Sequence, residues 1–159
     1  MKLLLTALLG LSITLTAPAA DLATKKALTL EVAKQLGAVA EKAAAANKWT
    51  MVIAILDDGG NLMYLERMDE TQIGSIEVAI QKGRSAVTFK RPTKVFEDAV
   101  AGGRTALLRL PGAVPVEGGL PITVDGKIIG AIGVSGGTSP QDGEVGKAAL
   151  DALPKILGK

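Results

Sequence analysis

Apolar positions change period several times along the chain, and each change marks an element. From Thr24 to Asn47, Ala33, Leu36, Gly37, Ala40, Ala43 and Ala44 recur at the i, i+3, i+4 spacing of one helical face, with Glu31, Lys34, Glu41 and Lys42 off it. Asn47 is read as a left-handed stop. Met51 to Leu56 is a continuous apolar run, short and rich in β-branched residues, which predicts a strand buried on both faces. Asp57-Asp58-Gly59-Gly60-Asn61 is turn chemistry, and Leu62 to Arg67 returns as a second, antiparallel strand. Tyr64 alternates with Met63 there, so one of the two is expected to face away from the core.

Ser75 to Val87 reads as a helix with Ile76, Ala79, Ile80, Gly83, Ala86 and Val87 on one side. Pro92 opens another that turns Val95, Phe96, Ala99 and Val100 inward and ends at Gly102-Gly103. Arg104 to Ala113 is less regular. Asp125-Gly126 is a two-residue hairpin signal between strands at Leu120–Val124 and Lys127–Val134. Ser139-Pro140 caps and opens a last helix, whose stripe is Val145, Ala148, Ala149, Ala152 and Leu153, and Pro154 closes it. Helices flanking hairpin-built strands give an α+β domain around an antiparallel sheet.

The first nineteen residues stand apart. Lys2 is followed by an apolar run from Leu3 to Leu15 and by Ala17-Pro18-Ala19, the arrangement of a cleavable signal peptide at residues 1–19. The run is shorter than a membrane span needs. Residues 20–159 are then expected to form a single domain in the periplasm or outside the cell, with no membrane span after cleavage. Loss of Lys2 lowers the formal net charge from +2 to +1. No Lys/Arg stripe compensates, which argues against nucleic acid as a partner.

Composition removes whole mechanisms. The chain has no cysteine and no histidine, which excludes Ser-His-Asp and Cys-His nucleophiles and a Cys/His zinc site. Chemistry is left to Asp, Glu, Lys, Tyr, hydroxyls or a cofactor.

Glycine clusters in Val116–Gly137. No G-x-x-x-x-G-K-[ST] phosphate loop is present, because Gly126-Lys127 is followed by Ile128 and Pro121 stands where the first glycine belongs. Gly130, Gly133 and Gly136 have the wrong spacing for a dinucleotide fingerprint. Anion binding at the start of the last helix is opposed by Asp142 and Glu144. Gly130 and Gly133 are expected to let a helix or neighbouring subunit approach the sheet. Gly118-Gly119, with Glu117 beside it, is left as a bend able to line a pocket.

"GGLPITVDGKIIGAIGVSGG" followed by "QDGEVGKAAL" resembles the C-terminal signature of the GlcG/HbpS family of haem-binding domains. "MVIAILDDGGNLMYLERMD" and "AIQKGRSAVTFKRPT" match in order. The resemblance implies a profilin-like fold with helices on a five-stranded antiparallel sheet, and assembly into homo-oligomers. It also implies haem as the cofactor. Some members are secreted haem binders associated with redox sensing, some are encoded beside glycolate-use genes, and some are fused to corrinoid adenosyltransferases. Certain relatives hold the iron through a histidine, which this sequence lacks, and others through oxygen ligands such as threonine.

Haem iron ordinarily takes His, Cys, Met or Tyr, so Tyr64 and Met68 are candidate ligand-binding residues, with Met51 and Met63 assigned to packing. Arg67, Lys82, Glu117, Gly118 and Gly119 complete the candidate small-ligand site. The expected function is a non-catalytic binder of haem or another tetrapyrrole, with no dedicated metal site. The alternatives are an enzyme for a small hydroxy- or oxo-acid, with Glu117 as base and Arg67 or Lys82 as carboxylate anchor, and an oligomeric accessory protein for a sensor. Helix faces built from Ala and Gly bury little area per residue, so a homo-oligomer is expected, covering Met51–Leu56 and Lys127–Val134 and bringing the Gly118-Gly119 bend near a subunit boundary.

Overall fold

The computed structural model describes residues 20–159; the expected signal segment lies outside them. The elements are α1 (Leu30–Ala46), β1 (Val52–Asp57), β2 (Leu62–Arg67), α2 (Ser75–Phe89), α3 (Lys94–Ala101), a 3₁₀ turn (Thr105–Arg109), β3 (Gly119–Val124), β4 (Lys127–Ser135), α4 (Ser139–Asp151) and α5 (Leu153–Ile156). The strands form one antiparallel sheet of order β2-β1-β4-β3. The architecture is α+β, but with four strands where the resemblance implied five.

The alternation of β1 builds three layers. Ile53 and Ile55 face the side covered by α1, α4 and α5, in a core with Leu36, Ala40, Ile132, Val134, Val145 and Leu153. Val52, Ala54 and Leu56 face α2 and meet Ala79. All five of these β1 residues are fully buried within the single chain. So is most of β4, and the expected need for a second subunit to cover these two strands is not met: helices of the same chain cover them. Gly133 shows how closely, since a Cβ there would overlap the Ala79 carbonyl oxygen of α2.

Local chemistry sets the boundaries. Helix α1 begins six residues later than its periodicity suggests, because the Thr29 hydroxyl caps it by accepting from Val32 N at 3.3 Å. It ends at Asn47, but the left-handed residue is Lys48 (φ 59°). Asp57 closes the first hairpin by accepting from Gly59 N and Asn61 N, both at 2.8 Å. At its far side the register passes from Ile55↔Tyr64 to Leu56↔Leu62, leaving Met63 as a bulged residue. Consecutive Met63 and Tyr64 therefore both pack against the α1-side core, contrary to the expected alternation. The second hairpin turns at Asp125 (φ 50°) and Gly126 (φ 73°), the paired positive φ of a type I′ turn.

Three helix details differ from expectation. Only Phe96 of α3 is buried; Val95 is exposed and Ala99 and Val100 half-buried, since α3 packs on the end of α2 rather than on the sheet. The α4 cap is Thr138, whose N–H is accepted by Gln141 Oε1 at 2.9 Å. Pro154 lies in the first turn of α5 rather than closing α4. No helix among the described residues is long and apolar enough to cross a membrane.

Candidate functional site

The strand order separates the residues singled out from the sequence. Strands β2 and β3 are the two edges of the sheet. Tyr64, Arg67 and Met68 belong to the β2 edge, and Glu117, Gly118 and Gly119 to the β3 edge, with Lys82 reaching the latter from α2. They form two groups, not one.

At the β2 edge the candidate ligands are already engaged. The Tyr64 hydroxyl donates to Glu66 Oε2 at 2.5 Å, and its ring lies over Gly37 of α1. That carboxylate acceptor, with burial, pushes the phenol up to about 12, away from the phenolate that iron would take. Met68 packs on the core, and Arg67 Nη1 donates to the Thr71 carbonyl at 3.3 Å. The depression here is open and is lined by Glu41, Glu66, Asp69 and Glu70 against Arg67 alone. An anionic ligand meets repulsion there. Arg67 is thus not placed to work with Glu117.

At the β3 edge the bend makes a cleft of about 410 Å³. Its floor is Gly118, Gly119 and Leu120; Pro92 and Lys94 form one wall, and Pro140, Gly143, Glu144 and Lys147 of α4 the other. Gly118 has φ 126°, and a Cβ there would stand 2.5 Å from the Val134 carbonyl oxygen and 2.8 Å from Asp142 Cβ. Only glycine fits. Gly119 is clamped in both directions by Thr93, whose Oγ1 accepts from Gly119 N at 3.0 Å and whose N–H donates to Gly119 O at 2.9 Å. Thr93 is itself fully buried.

Glu117 enters the cleft from this floor. Its N–H donates to a Glu97 carboxylate oxygen, and its carboxyl lies where a side chain on Gly143 would otherwise stand. Burial pushes the Glu117 carboxyl above its ordinary range; Lys94 opposes this, and the neighbouring Glu97 and Asp98 add to it. Lys94 pairs with Asp98 at 2.6 Å on the exposed side of α3.

Lys82 is not the free anchor expected from the sequence. Its ammonium is buried, 2.6 Å from Asp142 Oδ2 and 3.1 Å from the Val134 carbonyl oxygen. The signal was present: Lys82 falls between Ala79, Gly83 and Ala86, on the buried face of α2. Lys94, Lys147 and Glu144 had no comparable signal, because long-range packing alone brings α3 and α4 to the bend.

Other depressions offer less. One of similar volume lies between Ala23–Lys25 and the Gly126 turn, walled by exposed lysines and Asp58. A smaller groove of about 220 Å³ runs over Phe89 and Phe96 on α3. Among the described residues no group of three or more carboxylates is placed to hold a metal ion.

Comparison with known proteins adds a family. The model of the family "Haem degrading protein HbpS-like" matches residues 28–151. The Escherichia coli protein GlcG is 42% identical over 112 residues, which are 70% of this chain and 84% of that protein. A crystal structure of a double mutant of Streptomyces reticuli HbpS superposes with a TM-score of 0.76 at 28% identity, covering 91% of this chain and 99% of the other. A PduOC–haem complex superposes with a TM-score of 0.73 at 30% identity, covering 80% and 95%.

Proposed function

The chain belongs to the HbpS-like family, and from that premise we propose that it binds haem or another tetrapyrrole, without catalysis, in the cleft at Gly118-Gly119. The cleft's composition carries this reading: an apolar floor of Gly118, Gly119 and Leu120 between walls on which Lys94 and Lys147 stand beside Glu117 and Glu144. The floor would take the apolar body of a macrocycle, and Lys94 and Lys147 would pair with its carboxylate substituents.

The donor set decides how the iron is met. Histidine and cysteine are absent from the sequence, Met51 is fully buried, Met68 packs on the core, and Tyr64 is held by Glu66. The cleft offers carboxylate oxygen, and Glu117 would be the group that holds the metal. Bound haem would supply redox or ligand-sensing chemistry; the protein's part is to hold its edge and shield one face. With no histidine or cysteine in the sequence, Lys94 and Lys147 would supply most of the hold on the ligand.

Titrating hemin into the purified protein tests this. A saturable Soret shift at one hemin per chain is expected, weakened by exchanging Lys94 and Lys147 for glutamate and unchanged in Tyr64→Phe. Iron-free protoporphyrin should bind within about tenfold of hemin, a difference of ~1.4 kcal/mol. Absence of any shift removes the reading.

A second reading has one observation in its favour. The raised carboxyl of Glu117, with Lys94 at the same cleft, is the pairing a general base and carboxylate anchor need for a small hydroxy- or oxo-acid. Turnover of such acids by the purified protein, abolished in E117Q, would favour it over simple binding.

The N-terminal pattern marks the protein for export to the periplasm or beyond, residues 20–159 act as one domain, and the four-stranded sheet is a variant of the profilin-like arrangement. Apolar side chains exposed around α3 support self-association.

A further inference from the structure

Beneath the cleft lies a charged pair that neither family membership nor ligand chemistry explains. The side chains of Lys82 and Asp142 are 1% and 3% exposed. Lys82 Nζ lies 2.6 Å from Asp142 Oδ2 and donates to the Val134 carbonyl at 3.1 Å, while Asp142 Oδ1 accepts from Gly137 N at 3.0 Å. These bonds tie α2 to β4 and to the first turn of α4, partners 52 and 60 residues further along the chain.

We propose that the Lys82–Asp142 pair is the positioning element of the Gly118-Gly119 cleft, holding its floor and its α4 wall in one arrangement. The assignment of the cleft as the ligand site rests on the reading above; the positioning role rests on geometry. Gly118 passes directly over the pair, for a Cβ at that position would stand 2.8 Å from Asp142 Cβ and 3.0 Å from Lys82 Nζ. Gly119 faces the same residue from its other end, where a Cβ would overlap the Lys82 carbonyl. The bend is therefore seated on Lys82 by both its backbone and its ammonium. Asp142 meanwhile fixes the turn that carries Pro140, Gly143 and Glu144 into the cleft.

Stability alone is a poor reason for such a pair. Desolvating two charges offsets much of their attraction, and apolar residues of similar volume often serve as well or better. What an apolar pair cannot do is specify direction: the ammonium and carboxylate accept one mutual arrangement, with partners on three elements. Glu117 and Lys94 also reach the cleft, but neither hydrogen-bonds to the pair; Lys82 reaches Glu117 only through its charge.

The variant K82M/D142L replaces the pair by apolar side chains, and D142N keeps the shape and an acceptor for Gly137 N while removing the charge. Hydrogen exchange of the Gly118-Gly119 and Gly137–Gly143 amides, thermal melting and hemin titration are read on each. In K82M/D142L the melting temperature is expected to hold or rise while those amides exchange faster and hemin affinity falls about tenfold, the scale seen when groups that orient a binding shell are removed. D142N is expected to show the same local loosening. Exchange and affinity equal to the original protein in both variants would overturn the proposal, and so would failure of both to fold, which would make the pair a stability element. If the unaltered protein gives no Soret shift, the tetrapyrrole reading falls, and amide exchange alone decides the positioning role.

Discussion

Two glycines that pack against neighbours respond differently to a methyl group. A Cβ on Gly133 would overlap the carbonyl oxygen of Ala79 and stand 2.6 Å from Gly83 N, so helix α2 as a whole has to move off the sheet. Gly133→Ala is expected to lower stability by about 1–3 kcal/mol, the usual cost of overpacking, read as a fall in Tm. The three atoms nearest a Cβ on Gly143 all belong to the Glu117 side chain, down to its Cγ at 2.7 Å, so that side chain as a whole has to swing away while the backbone stays. Gly143→Ala should leave Tm nearly unchanged, since alanine favours the helix by up to about 1 kcal/mol, while altering hemin binding through the displaced carboxyl. Glu117 carries a pH signature as well. Its folded-state carboxyl is raised above the ordinary 4.5 by burial, so the folded protein holds that proton more tightly than the unfolded chain. The associated stability is present below the ordinary value and is lost as pH rises through the raised one. E117Q should therefore melt above the original protein at pH 7 and converge on it below about pH 4. Melting curves across that range check the sign.

At the scale of elements, hairpins were legible and distant pairings were not. Asp57–Asn61 and Asp125-Gly126 announce themselves because turn chemistry is local: one carboxylate accepts from three donors of its own loop (Gly59 N, Asn61 N and Asn61 Nδ2) in the first, and two positive φ angles shape the second. Asp57→Ala should cost about 1–2 kcal/mol by removing those bonds. Its pH dependence runs opposite to that of Glu117. Asn61 holds the Asp57 carboxyl below its ordinary 3.8, so its contribution is present above that value and disappears as pH falls toward the depressed one. A urea melt of Asp57→Ala should match the original protein more closely at pH 2 than at pH 7. The pairing of β1 with β4, by contrast, joins residues about half the chain apart, and no local pattern encodes it. That pairing sends β2 and β3 to opposite edges, which is why Tyr64, Arg67 and Met68 do not meet Glu117. Helix α3 misled for a related reason. Its apolar residues repeat at helical spacing, yet it rests on Phe89 through Phe96, ring centroids 5.3 Å apart, and leaves Val95 in solvent.

For the whole molecule, the apolar surface left over is not where composition placed it. Strands β1 and β4 are covered within the chain, so small-residue helix faces are sufficient for one copy to close its own core. Among the described residues Leu22, Leu30, Leu62, Ile73 and Val78 are exposed at scattered places, and four more exposed apolar side chains lie around α3: Val95 at 47% exposure, Leu108 at 61%, and Leu110 and Val116 at 37% and 39%. Val95 and Leu110 line the groove over the two phenylalanines, and Val116 precedes Glu117 at the Gly118-Gly119 cleft. Single exposed apolar residues are ordinary, but several beside one groove are the mark of a contact surface. A closed homo-oligomer is therefore expected to use the α3 face, with a partner chain next to the Gly118-Gly119 cleft. Light scattering on residues 20–159 at micromolar concentration should give a mass of two chains or more. Leu108→Asp with Val95→Asp should reduce it to one chain while leaving the far-ultraviolet circular dichroism unchanged, because neither side chain contributes to the core. A one-chain mass for the unaltered protein would remove the interface, and the cleft would then have to hold its ligand with the walls of a single copy.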